Sequence, residues 1–276
     1  MFGGFRNPAD LNKNIYCILK DDLSHLFLTF FSIPELFVLY LIHMINLGFM
    51  DKPLTVEKEN IIPFGTYLTD NEIQSVVENS NVVTFNKKEI IFRQNTRTSH
   101  IMFIKSGLVK IFKEGRNGKY IILKVAMPTH FLGLLSIYGG DTHHYSASAI
   151  QSSEICFVDI NVFNKLLHSN GNFALKIINS ISNDGLFIFD RLMSQSHKQL
   201  PGRIADVILY FSEKIFKNDQ FEFPFTRREL AELAGTTKES FIRTLAEFKH
   251  DKIIDLEGSV VKINSMKIVK TLSELG

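Results

Sequence analysis

Tryptophan is absent from this chain of 276 residues, and only two cysteines occur, Cys17 and Cys156, far apart and each among apolar neighbours. Two thiols alone cannot ligate an iron–sulfur cluster or a structural zinc, and they make a disulfide scaffold untenable. Both read as buried or half-buried thiols. A surplus of charge is missing too. The formal net charge is +2, and from Leu200 onward twelve Lys and Arg stand against twelve Asp and Glu. An argument for a nucleic-acid partner must therefore rest on where charges sit, not on their number. Catalytic signatures are also lacking: there is no G-x-x-x-x-G-K-[ST] loop, no H-E-x-x-H and no paired carboxylates, and the His143-His144 pair has no matched acid. The chain does not read as an enzyme, and neither a metal nor another cofactor is expected.

What is present describes a globular protein, with 45% hydrophobic and 22% charged residues and enough length for two modest domains. The 25 phenylalanines reflect composition rather than function. Residues 26–50, LFLTFFSIPELFVLYLIHMINLGFM, are apolar enough to suggest a membrane span. Pro34, Glu35 and His43 near its middle argue against one, and no cleavage site follows that would make it a signal peptide. Residues 1–49 are read first as lying outside the functional unit, with Met50 as the true start. The other readings are a packed amphipathic extension and a membrane attachment.

Thr69 or Asp70 should cap a helix with Ile73, Val76 and Val77 inward. The period then shortens. VVTF (82–85), EIIF (89–92), IMFI (101–104), LVKIF (108–112), YIILKV (120–125) and EICFVDI (154–160) are β-prone runs separated by polar turns. Gly107, Gly118 and Gly133 sit at turns, with 115–118 as a hairpin tip. This spacing fits a β-sandwich or a barrel-like roll. Asn161 is expected to cap the short helix that leaves it.

From Asn172 to Gln199 the pattern is helical. Ala174, Ile178, Ile181, Gly185, Ile188 and Leu192 recur at spacings of 4, 3, 4, 3 and 4, the seam a helix needs to pair with its own copy. Phe173, Ile177, Phe187 and Phe189 lie off that seam, so one face is free to cover the roll and the other a partner subunit. A symmetric homodimer is expected.

Pro201-Gly202 marks a boundary, followed by a helix with Ile204, Val207, Ile208 and Phe211 inward. FEFPF (221–225) is an extended element. Thr226 with Glu229 forms a capping box for a helix burying Leu230, Leu233 and Ala234, and Gly235 breaks it. Thr236 with Glu239 is a second capping box, for a helix turning Phe241, Leu245 and Phe248 inward with Ala246 close by. Lys238, Glu239, Ile242 and Arg243 are left on its outer face. Arg forks onto guanine, Lys does similar work, and Glu accepts from cytosine, so Lys238, Glu239 and Arg243 are the candidate base readers. Thr226, Arg227, Thr236, Thr237 and Lys262 are candidates for phosphates, and Lys267 is a further one. IIDLEGSVVKI (253–263) folds back around Glu257-Gly258 as a wing.

With these residues in view, positions 60–270 resemble the CRP/FNR family of bacterial transcription regulators. Its most specific part is TRRELAELAGTTKESFIRTL, in which Lys238 to Arg243 is similar to the family's R-E-T-V-x-R, with Lys238 in place of the usual Arg. IMFIKSGLVKIF (101–112) resembles the family's strand pair. The resemblance implies an α+β architecture: a cyclic-nucleotide-binding-like β-roll (50–171), a long dimerisation helix (172–200) and a C-terminal winged helix-turn-helix (201–276). It implies a cytoplasmic homodimer on an inverted repeat of double-stranded DNA, with RNA polymerase as a further partner if it activates. The family's phosphate cradle reads F-x-G-E and then R-S-A. Here Gly133 is followed by Leu134 where the ribose-binding Glu stands, and Tyr145 replaces the phosphate-binding Arg before Ser146. Ile188 and Phe189 fall where the nucleotide base would be faced. This pocket suits a hydrophobic effector or none, with the nearby His143 and His144 as weak substitute cations and only when protonated. The N-terminal cysteine cluster of the family's iron–sulfur branch is missing. His100, His130, His143 and His144 read as surface or hydrogen-bonded histidines rather than haem ligands. A nucleotide- or small-ligand-sensing module without a direct DNA function, with membrane tethering through residues 26–50 as one form of it, is the competing reading.

Overall fold

The computed structural model describes residues 58–115, 120–140 and 142–276. The 1–49 extension, its apolar run and most of the 115–118 turn lie outside them. A short helix, α1 (Lys58–Ile61), leads to α2 (Asp70–Glu78). Thr69 caps α2 in a full capping box: its hydroxyl accepts from Glu72 N–H, and the Glu72 carboxylate accepts from Thr69 N–H at 2.8 Å. Ile73 and Val76 are buried, but Val77 is exposed. Neighbours on a helix stand about 100° apart, so Val77 turns away from the face its neighbour buries.

Eight strands build the roll: β1 (Ser80–Phe85), β2 (Ile90–Phe92), β3 (His100–Ser106), β4 (Val109–Glu114), β5 (Tyr120–Ala126), β6 (Phe131–Leu132), β7 (Ser146–Ala149) and β8 (Ser153–Asp159), all among the described residues. They form two four-stranded sheets, ordered β1-β8-β3-β6 and β2-β7-β4-β5. Met102, Ile104 and Ile155 of one sheet share a core with Val109, Ile111 and Ala147 of the other. Every β-prone run of the sequence is a strand. Strands β6 and β7 escape the pattern because one has two residues and the other, SASA, is built from residues that β-propensity does not favour. Gly107 is at φ +91°, where an added Cβ would meet Ser153 Oγ at 2.2 Å, so its turn tolerates only glycine.

Two helices follow the roll, α4 (Ile160–Ser169) and α5 (Gly171–His197), after a short α3 (Leu134–Gly139) between β6 and β7. Asp159, not Asn161, caps α4: its carboxylate accepts from both Asn161 and Val162 N–H. Helix α5 buries Phe173 and Ile177 in the roll core, with Ile181 packed against them. That contact divides the expected seam. Ile181 faces the roll and Ala174 is half-buried, whereas Leu175, Ile178, Leu186, Phe189, Leu192 and Met193 are all exposed. The open stripe therefore runs through 175, 178, 182, 185, 189 and 192, a register the roll selects by claiming the adjacent face. Gly185 lies on this open side, where an added Cβ would meet nothing within 4 Å.

Pro201 and Gly202 sit inside α6 (Leu200–Leu209) rather than in a linker; the break is at Lys198 and Gln199, both extended. Proline is accepted there because the first turn of a helix has no N–H bond to lose. A π-helical segment (Tyr210–Phe216) continues α6. Then come β9 (Gln220–Glu222), α7 (Arg227–Leu233), α8 (Lys238–His250), β10 (Ile254–Glu257), β11 (Val260–Ile263) and α9 (Met266–Leu275). Strands β10, β11 and β9 form an antiparallel three-stranded wing.

Roll and winged helix share a core in which Leu108, Ile122, Val125 and Ile150 pack with Ile204, Phe211 and Leu230. Polar ties reinforce it. Arg191 of α5 donates to the carbonyls of Ile122 and Leu123 in β5 and to Leu233 at the end of α7. Tyr210 pairs with Val125 as a strand neighbour would, its hydroxyl accepting from N–H at 2.9 Å and donating to C=O at 3.1 Å. Lys110 of β4 meets Glu229 of α7 at 2.7 Å.

Burial alone raises the Glu229 pKa, but hydrogen bonds from Lys110 and Thr226 outweigh it and hold the carboxyl below its ordinary value. A depressed carboxylate adds stability above the unfolded-state pKa, and that stability is lost as pH falls through the folded-state value. Glu229→Gln is therefore expected to destabilise the protein to urea at pH 7. The gap from wild type should close once the pH is taken well below 4. A gap independent of pH would contradict the ionic role.

Candidate nucleic-acid interface and the roll pocket

The paired helices α7 and α8 owe their geometry to their caps and to one glycine. Thr226 and Glu229 exchange the two bonds of a capping box, the Thr226 hydroxyl accepting from Glu229 N–H and the Glu229 carboxylate accepting from Thr226 N–H at 3.0 Å. Gly235 turns the chain at φ +63°. The second cap is shifted by one residue from expectation. Thr237 caps α8 and accepts from Ser240 N–H at 3.2 Å, while Thr236 is half-buried and its N–H donates to Ala231 C=O. With the register fixed this way, Phe241, Thr244, Leu245 and Phe248 face the core. Ala246, expected close to this set, is exposed, and Thr244 takes the buried position beside Leu245.

Lys238, Glu239, Ile242 and Arg243 are exposed in the first two turns of α8. They share the outer face, as sequence spacing requires. No hydrogen bond or ion pair holds Lys238, Glu239 or Arg243 to any described residue, so their polar ends are free for a ligand. The phosphate candidates divide. Lys262 is exposed, with Asp255 as its cross-strand neighbour. Thr226 and Thr237 spend their hydroxyls as helix caps. Arg227 is turned inward: its guanidinium donates to Gly258 C=O, lies over the Phe223 ring and has its pKa lowered by burial. It joins α7 to the wing. Arg228, which the motif does not single out, is the exposed cation of that turn. The inward positions Leu230, Leu233 and Ala234 already place it on the outer face, so the periodicity holds the signal.

The roll pocket is closed. Gly133 takes φ +90° ahead of α3, and its N–H donates to the Tyr145 hydroxyl at 3.0 Å. A donor that a cradle would offer to a ligand is thus used internally. Burial raises the Tyr145 phenol to about 12. Leu134 is buried in the core between roll and helix, and Ser146 accepts from Gln94 N–H and donates to Glu114. What remains between roll and α5 is a cavity of about 40 Å³, with Ile188 on its wall and the Lys124–Asp184 ion pair at 2.6 Å across it. Phe189 is not part of it; the side chain points away, 64% exposed. His143 is placed against carrying a cation. It is buried, stacked on Phe92 at 4.0 Å, and burial lowers its pKa. Among the described residues no three His, Cys, Asp or Glu side chains converge as metal ligands.

Tyr145→Phe should strand the Gly133 N–H in the interior, at a cost of about 1–3 kcal/mol. Urea unfolding measures it directly; an unchanged midpoint would mean that the hydroxyl is not sealing the cradle.

The cyclic nucleotide-binding domain family matches residues 82–170, and the Crp-like helix-turn-helix domain family matches residues 202–269, together more than half of the chain. The chain belongs to the CRP/FNR family. This family member is 24% identical over 183 residues to the transcriptional activator protein FnrA of Stutzerimonas stutzeri, covering 64% of this chain and 74% of the relative. It is 22% identical to a CRP-like cAMP-activated global transcriptional regulator of Mycobacterium tuberculosis, covering 70% and 88%. Its fold is similar to that of FixK2 from Bradyrhizobium japonicum, with a TM-score of 0.65 and 19% identity over 70% of this chain and 96% of that one. This CRP/FNR protein is a DNA-binding transcription regulator built from a β-roll, a long helix and a winged helix-turn-helix. No helix among its described residues is long and apolar enough to cross a membrane.

Proposed function

We propose that the protein is a cytoplasmic homodimer that reads an inverted repeat through α8 and takes no cyclic nucleotide. The observation that carries this reading is the outer face of α8. Lys238, Glu239 and Arg243 stand exposed and unpaired on the first turns of a helix whose opposite face is locked into a core. A helix entering the major groove presents its N-terminal turns to base edges, where Arg forks onto guanine and Glu accepts from cytosine. Arg228, Lys262 and the exposed Lys267 supply phosphate contacts that set register and salt dependence.

Pairing of two copies runs along the open stripe of α5. Each copy offers Leu175, Ile178, Phe189 and Leu192 along the stripe, with Leu186 and Met193 beside it, and removing such exposed apolar side chains from water is what drives the association. The stripe ends near Lys198, where the DNA-reading domain begins, so pairing there fixes the separation of the two reading helices.

Cyclic nucleotide independence rests on the roll. A cavity of about 40 Å³ is far below the roughly 300–1,000 Å³ of a small-molecule site, and Tyr145 and Leu134 replace the groups a cyclic phosphate and a ribose need. Calorimetric titration with cAMP and cGMP is expected to show no heat of binding to folded protein. Saturable binding of either would overturn this part of the reading. Where the protein activates, RNA polymerase is its further partner.

A further inference from the structure

We infer that Ile242 is a base-reading residue of α8 and selects thymine by its 5-methyl group, an inference that rests on the proposed major-groove docking of that helix. Ile242 is 43% exposed, although it belongs to a helix whose other large apolar side chains, Phe241, Leu245 and Phe248, are buried. It follows Glu239 by three residues and precedes Arg243 by one, so it lies inside the reading face and not at its rim. Helical side chains lean toward the N-terminus and cover the turn before their own Cα. The surface that Ile242 covers is therefore the one presented by Lys238 and Glu239. A β-branched side chain holds essentially one rotamer in a helix, so this apolar knob is rigid before any duplex arrives. One turn further on, the exposed Ala246 is small enough to let the duplex approach closely.

The chemistry of the groove then selects the partner. In the major groove the purines and cytosine present hydrogen-bonding atoms, which an isoleucine would desolvate without replacing. Thymine alone adds a methyl group. With Arg243 matched to guanine and Glu239 to cytosine, an apolar contact beside them, on the Lys238 side of Glu239, gives the half-site a thymine that no hydrogen bond reads.

The test uses the full chain and its selected DNA site. Each symmetric pair of thymines is replaced in turn by uracil, which keeps every hydrogen bond and removes only the methyl. Affinity is measured by fluorescence anisotropy for wild type, Ile242→Ala and Ile242→Val. For wild type, uracil at one pair of positions should weaken binding about fourfold per half-site and about sixteenfold for the repeat, the value of one buried methyl group. Ile242→Val should keep that sensitivity, and Ile242→Ala should lose it while still preferring the site. Uracil tolerated at every position, or an equal penalty in Ile242→Ala, overturns the assignment. A wild-type protein that selects no site at all would instead remove the docking on which the assignment rests, and the assignment with it.

Discussion

Arg243→Ala and Glu239→Ala proteins each lose most of their preference for the repeat. Each removes one base contact from each half of the repeat, and a lost base contact costs about 1–3 kcal/mol. Doubled by symmetry, this lowers affinity for the specific site by about 30-fold to 10⁴-fold and leaves non-specific binding in place. Both side chains are exposed and bonded to no described residue, so neither substitution disturbs the fold or the dimer. Competition between a specific and a scrambled duplex, at one fixed salt concentration, reads the effect. Preference undiminished in both variants would contradict the placement of α8 in the groove. Lys238→Ala is a different case, since lysine at this position reaches a base or a phosphate as a flexible point charge.

Phe189→Asp combined with Leu192→Asp yields a monomer. Both residues are well exposed, at 64% and 60%, on the open face of α5. Four carboxylates in a two-fold interface would each have to be desolvated, and a buried unpaired charge is among the costliest defects a protein interface can carry. Sedimentation should show half the wild-type mass with unchanged helix content, and affinity for the repeat should fall to that of a single half-site. A dimer of unchanged mass would contradict the stripe. Ile181→Asp makes the informative contrast. Although sequence spacing puts Ile181 in the seam, it packs with Phe173 and Ile177 against the roll, so aspartate there unfolds the protein instead of dissociating it.

That contrast shows what sequence can and cannot reveal. Periodicity identifies every element with a one-sided apolar pattern: the six main strands, the capped helices α2 and α7, and the reading helix with its outer face. These are local properties, decided by alternation or by a cap within four residues. The helix α5 is apolar on two faces, and which face meets the roll depends on residues far away in the chain. The spacing 174, 178, 181, 185, 188 and 192 is therefore a valid heptad, of which 178, 185 and 192 lie on the open stripe while 181 turns to the roll. The caps of α4 and α8 slip by one or two positions for a simpler reason. Asp159 and Thr237 compete with Asn161 and Thr236, neighbours of nearly equal capping strength, and packing decides between them. The closed cradle is half legible. Leu134 and Tyr145 announce the loss of the charged ligands, but only the fold shows the Tyr145 hydroxyl accepting from Gly133 N–H and Phe189 turned outward. Arg191 and Tyr210, which tie the reading domain to β5, leave no signature, because their partners are backbone groups of a distant strand.

Selection from a random duplex pool, with the full chain and no added ligand, tests the central claim most directly. The account predicts enrichment of an inverted repeat whose half-sites lie about 10–10.5 bp apart, centre to centre, with guanine, cytosine and thymine positions repeated symmetrically in each half. Recovery of an isolated half-site, or of no shared sequence from folded dimeric protein, would contradict it.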